Sequence, residues 1–329
     1  MDTASVEKKL LDWVLQRYPD TPKTRAKQWI QAGRVSVGGV VRRKAGELLT
    51  DPGNTLELSQ RRAPTLDCGS GWRIHPRVRL VFLDVALAVV SKGPGLISVP
   101  APDGKISALS ILEDFLAGKL VAPVAKTLPP SFRKLHPLPV HRLDQYTSGL
   151  FCIALNPAAR SSLIEQVRAH TMGRQYIAFV QGRAPRPEGT WKHWLLFNRD
   201  QMRQKIVAPG SGGGAKEAVT HYEVIDEYKV GATQQMVTKL RLRLETGLQH
   251  QIRAQAAQAG LPLIGDRVYN PPYRDPRHPT GPVPFSRQAL HSERLSLQHP
   301  EQPGKNLSWK AALPEDLQQL ETVLRAGRV

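Results

Sequence analysis

Residues 141–156 read HRLDQYTSGLFCIALN, in which titratable side chains lead directly into an apolar run. The unbroken apolar stretch at 150–155 is typical of a strand that is buried on both faces. His141, Arg142 and Asp144 precede it in a segment ending in the letters TSG, which favour a tight loop. A carboxylate is therefore expected at the mouth of a buried strand. It could form a structural ion pair with the nearby arginine or be the reactive group of a site, and this segment alone leaves both interpretations open.

Composition limits the class of partner. The chain has 329 residues and a formal net charge of +18, which favours polyanions such as nucleic acid. Cys68 and Cys152 fit neither a disulfide framework nor a zinc site, so we expect a reduced, cytoplasmic protein. We find no signal peptide and no apolar stretch long enough to cross a membrane, so a membrane partner is not expected. We expect a monomer.

The first 62 residues are predicted to form a small α/β domain. Hydrophobic spacing predicts helices at 6–17 and 23–32, followed by short strands at 35–37 and 55–58. Residues 23–44 contain no acid. Their basic residues are Lys23, Arg25, Lys27, Arg34, Arg42, Arg43 and Lys44. Such a run is either a solvated helix face or a surface that binds an anionic ligand.

Residues 63–79 lack periodicity and are interpreted as a linker, and residues 80–329 as a larger domain. Strand signals occur at 80–92, 149–156, 174–182, 218–226 and 236–247. Helix signals occur at 107–118, 157–170, 249–259 and 314–326. Runs of strands with scattered helices predict an α+β fold with a mixed or antiparallel central sheet.

A second cluster of polar residues occurs in ETGLQHQIRAQAAQAGLPLIGDRVY, residues 245–269. His250, Gln251 and Arg253 fall in the first turns of the predicted helix. An arginine near a helix N-terminus opposes the macrodipole, which suggests a carboxylate or ligand partner, although surface arginines are more common. Tyr176 lies in the apolar strand RQYIAFVQG, where a core aromatic is the simpler interpretation.

The segment HRLDQYTSGL resembles the signature HRLD-x-x-TSG of RluA-type pseudouridine synthases, and further segments resemble that family in the same order. These are VVSKGPGLISVP (89–100), GRQYIAFVQG (173–182), AKEAVTHYEVI (215–225), the 245–269 segment and ALHSERLSLQHP (289–300). The stretch KTRAKQWIQAGRVSVGGVV is similar to the S-four-type RNA-binding module of ribosomal proteins. The resemblance covers about residues 80–325 for the synthase and the first sixty residues for the module.

The resemblance implies the isomerisation of uridine to pseudouridine in structured RNA, most of all ribosomal RNA, with no cofactor. Asp144 would be the essential carboxylate, Arg253 would pair with it, and Tyr176 would stack on the uracil. Arg142 would fill the space left by the flipped uridine, and His141 would brace the loop. The candidate residues are Asp144, Tyr176 and Arg253 as catalytic groups and Arg142, His141, His250 and Gln251 as substrate contacts.

Two departures from the family pattern leave substrate choice open. Gly247-Leu248-Gln249 replaces the usual Gly-Arg-Thr, and Gln145-Tyr146 replaces a charged pair. The alternatives are an inactive RNA-binding or ribosome assembly factor and a synthase that acts on transfer RNA. A carboxylate-dependent hydrolase would need a second catalytic carboxylate, and no motif supplies one.

Overall fold

The chain folds into two compact units, Met1–Ala63 and Pro64–Val329. The structure is a computed structural model that describes residues 7–31, 34–58, 65–120, 128, 130–231, 234–275, 277 and 280–327. The boundary agrees with the small N-terminal domain expected from the sequence. No helix of the described residues combines the length and the apolar character that a membrane crossing requires.

The N-terminal unit consists of two helices and two small sheets. Its elements are β1 (Lys8–Lys9), α1 (Leu10–Arg17), α2 (Lys23–Gln31), β2 (Val35–Val37), β3 (Val40–Arg42), β4 (Leu48–Leu49) and β5 (Leu56–Leu58). The strands pair antiparallel in the order β3-β2-β5, with β1 on β4. Leu10 and Val14 of α1 pack against Ala26 and Ile30 of α2, which accounts for the helical spacing of these apolar residues.

The C-terminal unit is built on one large sheet. Its elements are β6 (Leu66–His75), β7 (Val78–Leu83), β8 (Leu87–Lys92), α3 (Ala108–Leu116), β9 (Leu138–Pro139), β10 (Ser148–Ala154), α4 (Pro157–Arg168), β11 (Gly173–Gln181), β12 (Glu188–Asn198), β13 (Arg203–Val207), β14 (Lys216–Val230), β15 (Gln235–Leu244), α5 (Gln251–Gln258), β16 (Leu290–Gln298), β17 (Asn306–Lys310) and α6 (Glu315–Ala326). The strand order is β13-β12-β14-β15-β11-β16-β10-β8-β7-β6, with β17 on β16 and β9 on β10.

The predicted mixed, largely antiparallel sheet is confirmed. Strands β10 and β16 run parallel, and the other pairs are antiparallel. The apolar run of β10 is unbroken because both faces of the sheet are covered. Phe151 and Ile153 face the core that contains α3, whereas Leu150 and Cys152 face the core that contains α4. This alternation is the period of two that a pleated strand imposes.

Gly149 fixes the start of β10 against its parallel neighbour. It pairs with Ser292 of β16 and has a φ of +110°. A Cβ atom at this position would lie 2.2 Å from the Ser292 carbonyl oxygen. One residue earlier, the Ser148 hydroxyl lies 3.0 Å from Nδ1 of His291, so the first two residues of β10 are joined to β16 by backbone and side chain.

The linker prediction for residues 63–79 is wrong over most of its length. Strand β6 covers much of this segment and pairs with β7 at the edge of the sheet. Its register shifts between Asp67 and Trp72, and Gly69 and Gly71 have positive φ. Glycines and a broken register hide the period of two by which a strand is recognised in sequence.

The apolar run at 80–92 forms two strands rather than one. Its interruption is a turn in which Oδ1 of Asp84 accepts hydrogen bonds from the backbone amides of Ala86 and Leu87, at 2.7 and 2.8 Å. The Asp84 carboxylate also lies 2.7 Å from Nε2 of His299, and both side chains are 1% exposed.

Candidate active site

A cavity of about 190 Å³ lies where the loop before β10, the strand β11 and the N-terminal end of α5 meet. Its walls include Asp144 from the loop, Tyr176 from β11 and Arg253 from α5. Sites for drug-sized ligands enclose roughly 300–1,000 Å³. This cavity is smaller than such sites.

Arg253 bridges two carboxylates. Its Nη1 donates to Oδ2 of Asp144 at 3.1 Å, while its Nε and Nη2 donate to the two oxygens of Asp266 at 2.7 and 2.8 Å. Oδ1 of Asp266 also accepts from the backbone amides of Val268 and Tyr269. Burial opposes the charge of Arg253, but hydrogen bonding and the charges of Asp266 and Asp144 raise its pKa. The predicted pairing of Arg253 with Asp144 is therefore present, and a second carboxylate holds the arginine more tightly.

The two carboxylates differ in exposure. The side chain of Asp266 is 0% exposed, whereas that of Asp144 is 17% exposed and lines the cavity. Since Asp266 uses both oxygens within the protein, Asp144 is the one residue of the described cavity lining that presents a carboxylate.

The backbone of the Asp144 loop is held from outside the loop. Nζ of Lys92 donates to the Gln145 carbonyl at 3.0 Å, and Nη1 of Arg287 donates to the Tyr146 carbonyl at 3.1 Å. The Ser98 hydroxyl both accepts from the Leu143 amide and donates to the Leu143 carbonyl. The loop is thus held in place before any ligand arrives, as a reactive carboxylate requires.

His250 lies beside the carboxylate in an uncommon backbone conformation. It precedes α5 with φ +55°, and its Nε2 lies 3.8 Å from Oδ2 of Asp144. Its Nδ1 lies 3.3 Å from the Tyr269 hydroxyl oxygen. A left-handed non-glycine residue costs about 1–3 kcal/mol and is often found at functional sites. Burial lowers the pKa of His250, and the charge of Asp144 opposes that shift.

Tyr176 and His141 line the cavity as uncharged rings. Tyr176 is 5% exposed, and burial raises the pKa of its hydroxyl. Nε2 of His141 accepts a hydrogen bond from the backbone amide of Cys152 at 3.1 Å. Burial and the charge of Arg174 lower the pKa of His141 to about 3. The hydrogen bond to Cys152 ties the beginning of the Asp144 loop to the middle of β10, and the His141 ring lines the cavity.

Gln251, predicted as a substrate contact, lines the cavity, but its side-chain amide is bound within the protein. It is 2% exposed, and its amide group is fully engaged within the protein. Oε1 accepts from the Thr246 hydroxyl and the Leu248 amide, while Nε2 donates to the Val219 carbonyl and the Thr220 hydroxyl. Gln251 therefore anchors the start of α5 to β14. Arg142, in contrast, is exposed at the rim of the cavity.

Comparison with known proteins agrees with this arrangement. Residues 86–258 match the model of the RNA pseudouridylate synthase family, and residues 8–56 match that of the S4 domain. The chain belongs to the RNA pseudouridylate synthase family. Within the matched region this synthase carries the Asp144 loop, Tyr176 and Arg253.

Curated relatives resemble the synthase over nearly its whole length. "Ribosomal large subunit pseudouridine synthase D" of Pseudomonas aeruginosa is 30% identical over 95% of this chain and 91% of its own. The protein of the same name from Yersinia pestis is 31% identical over 94% of this chain and 88% of its own. The protein of the same name from Escherichia coli K12 is 30% identical over 94% of this chain and 89% of its own.

Two solved human structures share the fold. "RNA Pseudouridylate Synthase Domain Containing 1" superposes with a TM-score of 0.52 and 20% identity, over 76% of this chain and 95% of the other. "RNA Pseudouridylate Synthase Domain Containing 4" superposes with a TM-score of 0.53 and 20% identity, over 74% of this chain and 91% of the other.

The S4 domain of the synthase presents most of its predicted basic surface to solvent. The exposed members are Lys23, Arg25, Lys27, Arg43 and Lys44. Arg34 lies over the ring of Trp29, with its guanidinium carbon 5.3 Å from the ring centre. Nη1 of Arg42 pairs with Glu47 at 2.6 Å. Glu47 lies just beyond the acid-free segment, so Arg42 is partly neutralised within the domain.

Sequence reasoning did not identify three residues of this site as functional. Asp266 and Tyr269 were recognised only as letters of the segment GDRVY, and Arg174 as part of a strand. The unfavourable position of Arg253 at a helix start indicated a carboxylate partner but not a second one. Asp266 follows α5 closely in sequence, which is the signal that could have suggested it.

Proposed function

We propose that this synthase converts uridine to pseudouridine in large-subunit ribosomal RNA, with Asp144 as the essential carboxylate. The observation that carries this assignment is the half-buried Asp144 carboxylate, held by Arg253 at 3.1 Å in a cavity of about 190 Å³. The names of the curated relatives support ribosomal RNA over transfer RNA as the substrate. The S4 domain supports the same choice.

The reaction breaks the bond between C1′ of the ribose and N1 of uracil, and that electron pair leaves with the base. Asp144 either attacks C1′ to form an ester or removes a ribose proton, and both routes release uracil as an anion. The ring then turns and C5 bonds to C1′, while the ester bond to Asp144 breaks or Asp144 returns its proton to the ribose; C5 then loses its proton and N1 gains one. Every atom is retained, so the net change is an isomerisation.

The target uridine must leave its stack to reach Asp144. The carboxylate is only 17% exposed, and a cavity of about 190 Å³ does not admit a base pair. Base flipping costs roughly a few kcal/mol, least where pairing is already weak. We propose that exposed Arg142 at the rim occupies the vacated space and that Tyr176 stacks on the flipped ring.

The substitution Asp144→Asn tests the role of the carboxylate. We expect it to abolish pseudouridine formation in a ribosomal RNA substrate and to leave RNA binding nearly unchanged. Asp200→Asn is a matched control, because Asp200 is exposed and lies in a turn outside the cavity. Carbodiimide mapping after incubation with each variant gives the readout. Pseudouridine formed at the wild-type rate by Asp144→Asn would exclude the proposed role.

The S4 domain is proposed to bind the backbone of the same RNA. Neutralising Lys23, Arg25 and Lys27 together is expected to weaken binding and to reduce the slope of log K against log salt by up to about three. Filter binding at several salt concentrations measures the slope. An unchanged slope would remove this surface from the RNA interface. We further propose that the synthase acts as a monomer in the cytoplasm.

A further inference from the structure

Arg174 is a buried cation that the proposed mechanism does not yet use. It lies two residues before Tyr176 on β11, so both side chains project from the same face of the strand and line the cavity. Its exposure is 4%. A charge removed from water in this way is costly unless a partner compensates it.

The described residues supply no such compensation. Nη2 of Arg174 donates to the backbone carbonyl of Glu245 at 3.2 Å, and its buried Nε has no hydrogen-bond partner. The carboxylate of Glu245 pairs instead with His221 at 3.1 Å. No carboxylate of the described residues lies within 4.0 Å of a nitrogen of Arg174.

Arg174 therefore differs from Arg253, the other buried arginine of the cavity. Arg253 is neutralised by two carboxylates, whereas Arg174 keeps its full charge. Both Asp144 and Arg174 act on the Tyr176 hydroxyl, since Asp144 raises its pKa and Arg174 lowers it. Arg174 therefore places a positive charge in the cavity wall beside Tyr176.

Gly247 creates the space in which this guanidinium lies. A Cβ atom added to Gly247 would come within 2.2 Å of Nη1 of Arg174, and the next nearest atoms also belong to that guanidinium. The position of Arg174 therefore depends on the absence of a side chain at Gly247.

We propose that Arg174 is a further catalytic residue that stabilises the negative charge on the uracil oxygens when the C1′–N1 bond breaks. This assignment rests on the proposed function, because it concerns a step of that reaction. A buried, preformed donor aimed at developing charge is the arrangement by which enzymes lower such barriers. The anion is released by either route open to Asp144, so the assignment does not depend on the choice between them.

Three variants separate the possible roles. Arg174→Met removes the charge, Arg174→Lys keeps it without the planar fork, and Gly247→Ala keeps the arginine but displaces it. Arg243→Met is the control, since Arg243 is an exposed arginine on the neighbouring strand, opposite Gln175. Pseudouridine formation is followed in single turnover at saturating enzyme, and RNA affinity is measured at several salt concentrations.

We expect Arg174→Met to reduce the saturating rate by about 100-fold or more without changing RNA affinity or its salt slope. Arg174→Lys should recover part of the rate, and Gly247→Ala should lose rate although no charge is removed. With 5-fluorouridine at the target, glycosidic cleavage by Arg174→Met should be less impaired, because fluorine itself stabilises the anion. Arg243→Met should keep the wild-type saturating rate.

Other outcomes would overturn the assignment. A salt slope reduced by about one with an unchanged saturating rate would identify a phosphate contact. A lower melting temperature with equal rate losses for uridine and 5-fluorouridine, and no recovery by lysine, would identify a packing role. Failure of the wild type to form pseudouridine would overturn the proposed function and this assignment together.

Discussion

Replacing Asp266 by alanine should destabilise the C-terminal unit far more than the same change at Asp144, although both carboxylates bind Arg253. Asp266 is 0% exposed and accepts two hydrogen bonds from Arg253 and two from backbone amides. Removing one member of a buried ion pair costs about 3–5 kcal/mol. Asp144 accepts one of these bonds and is partly solvated, so its loss should cost about 1 kcal/mol or less.

Scanning calorimetry distinguishes these values. One kcal/mol corresponds to about 2–4 °C for domains of roughly this size, so Asp266→Ala should lower the melting temperature of the C-terminal unit by about 6–20 °C. Adding Arg253→Met to Asp266→Ala should restore part of the stability, because the unpaired buried charge is then absent. Equal shifts for Asp144→Ala and Asp266→Ala would refute the reasoning.

Two further predictions concern the fold around the site. Burial lowers the pKa of His291 from its ordinary value of 6.5 to about 4. Between pH 4 and pH 6.5, the His291 side chain is therefore protonated in the unfolded chain and neutral in the folded chain. The free energy of unfolding should therefore fall as the pH falls through this window. Between pH 7 and pH 4, denaturant unfolding should show a fall for His291→Gln that is about 3 kcal/mol smaller than the fall for the wild type. An equal fall in both proteins would contradict this. Gly149→Ala should destabilise the protein by about 3 kcal/mol or more, because the new Cβ would meet the Ser292 carbonyl and the φ of Gly149 is +110°. Gly46→Ala is the control, since Gly46 has open space around it and an ordinary φ. Equal melting temperatures for the two variants would refute the clash.

The elements that the sequence predicted well are those whose packing repeats a simple period. Helix α2 buries Ala26 and Ile30 at a spacing of four, and β11 is apolar on both faces. The bounds expected for α3 to α6, β10 and β11 lie within two residues of those in the structure, whereas β14 extends four residues beyond its expected end and β15 stops three residues before its own. These patterns are local, so they can be recognised without knowledge of the partner elements.

The elements that were missed lie where burial is incomplete. Strand β12 has few fully buried residues, among them Trp191 and Leu195, and β6 lies at the sheet edge with an irregular register. Their partners β7, β13 and β14 lie close in sequence, but neither strand shows a regular alternation of buried and exposed side chains. Hydrophobic period alone therefore could not separate them from loops.

The candidate site was predictable in its parts rather than in its geometry. Asp144, Tyr176 and Arg253 were placed by family resemblance, and the structure brings all three to one cavity. The engagement of Gln251 and the second carboxylate at Arg253 arise from contacts between elements. A single sequence does not specify such contacts, because a glutamine or an arginine at these positions could equally lie on the surface.

The balance of charge in the cavity connects the two arginines in one mechanism. Among Asp144, Asp266, Arg253 and Arg174 the two negative and two positive charges balance before reaction, and Arg142 at the rim adds a further positive charge. By either proposed route, Asp144 loses its charge, as an ester or as a protonated acid, and uracil gains one. The total is unchanged, but the negative charge moves away from Arg253, which keeps Asp266, toward Arg174, which has no described counter-ion. Asp266 is then needed to keep Arg253 neutralised while the negative charge moves from Asp144 to uracil. Arg174 gains a negatively charged partner, the uracil anion, only when the glycosidic bond is broken.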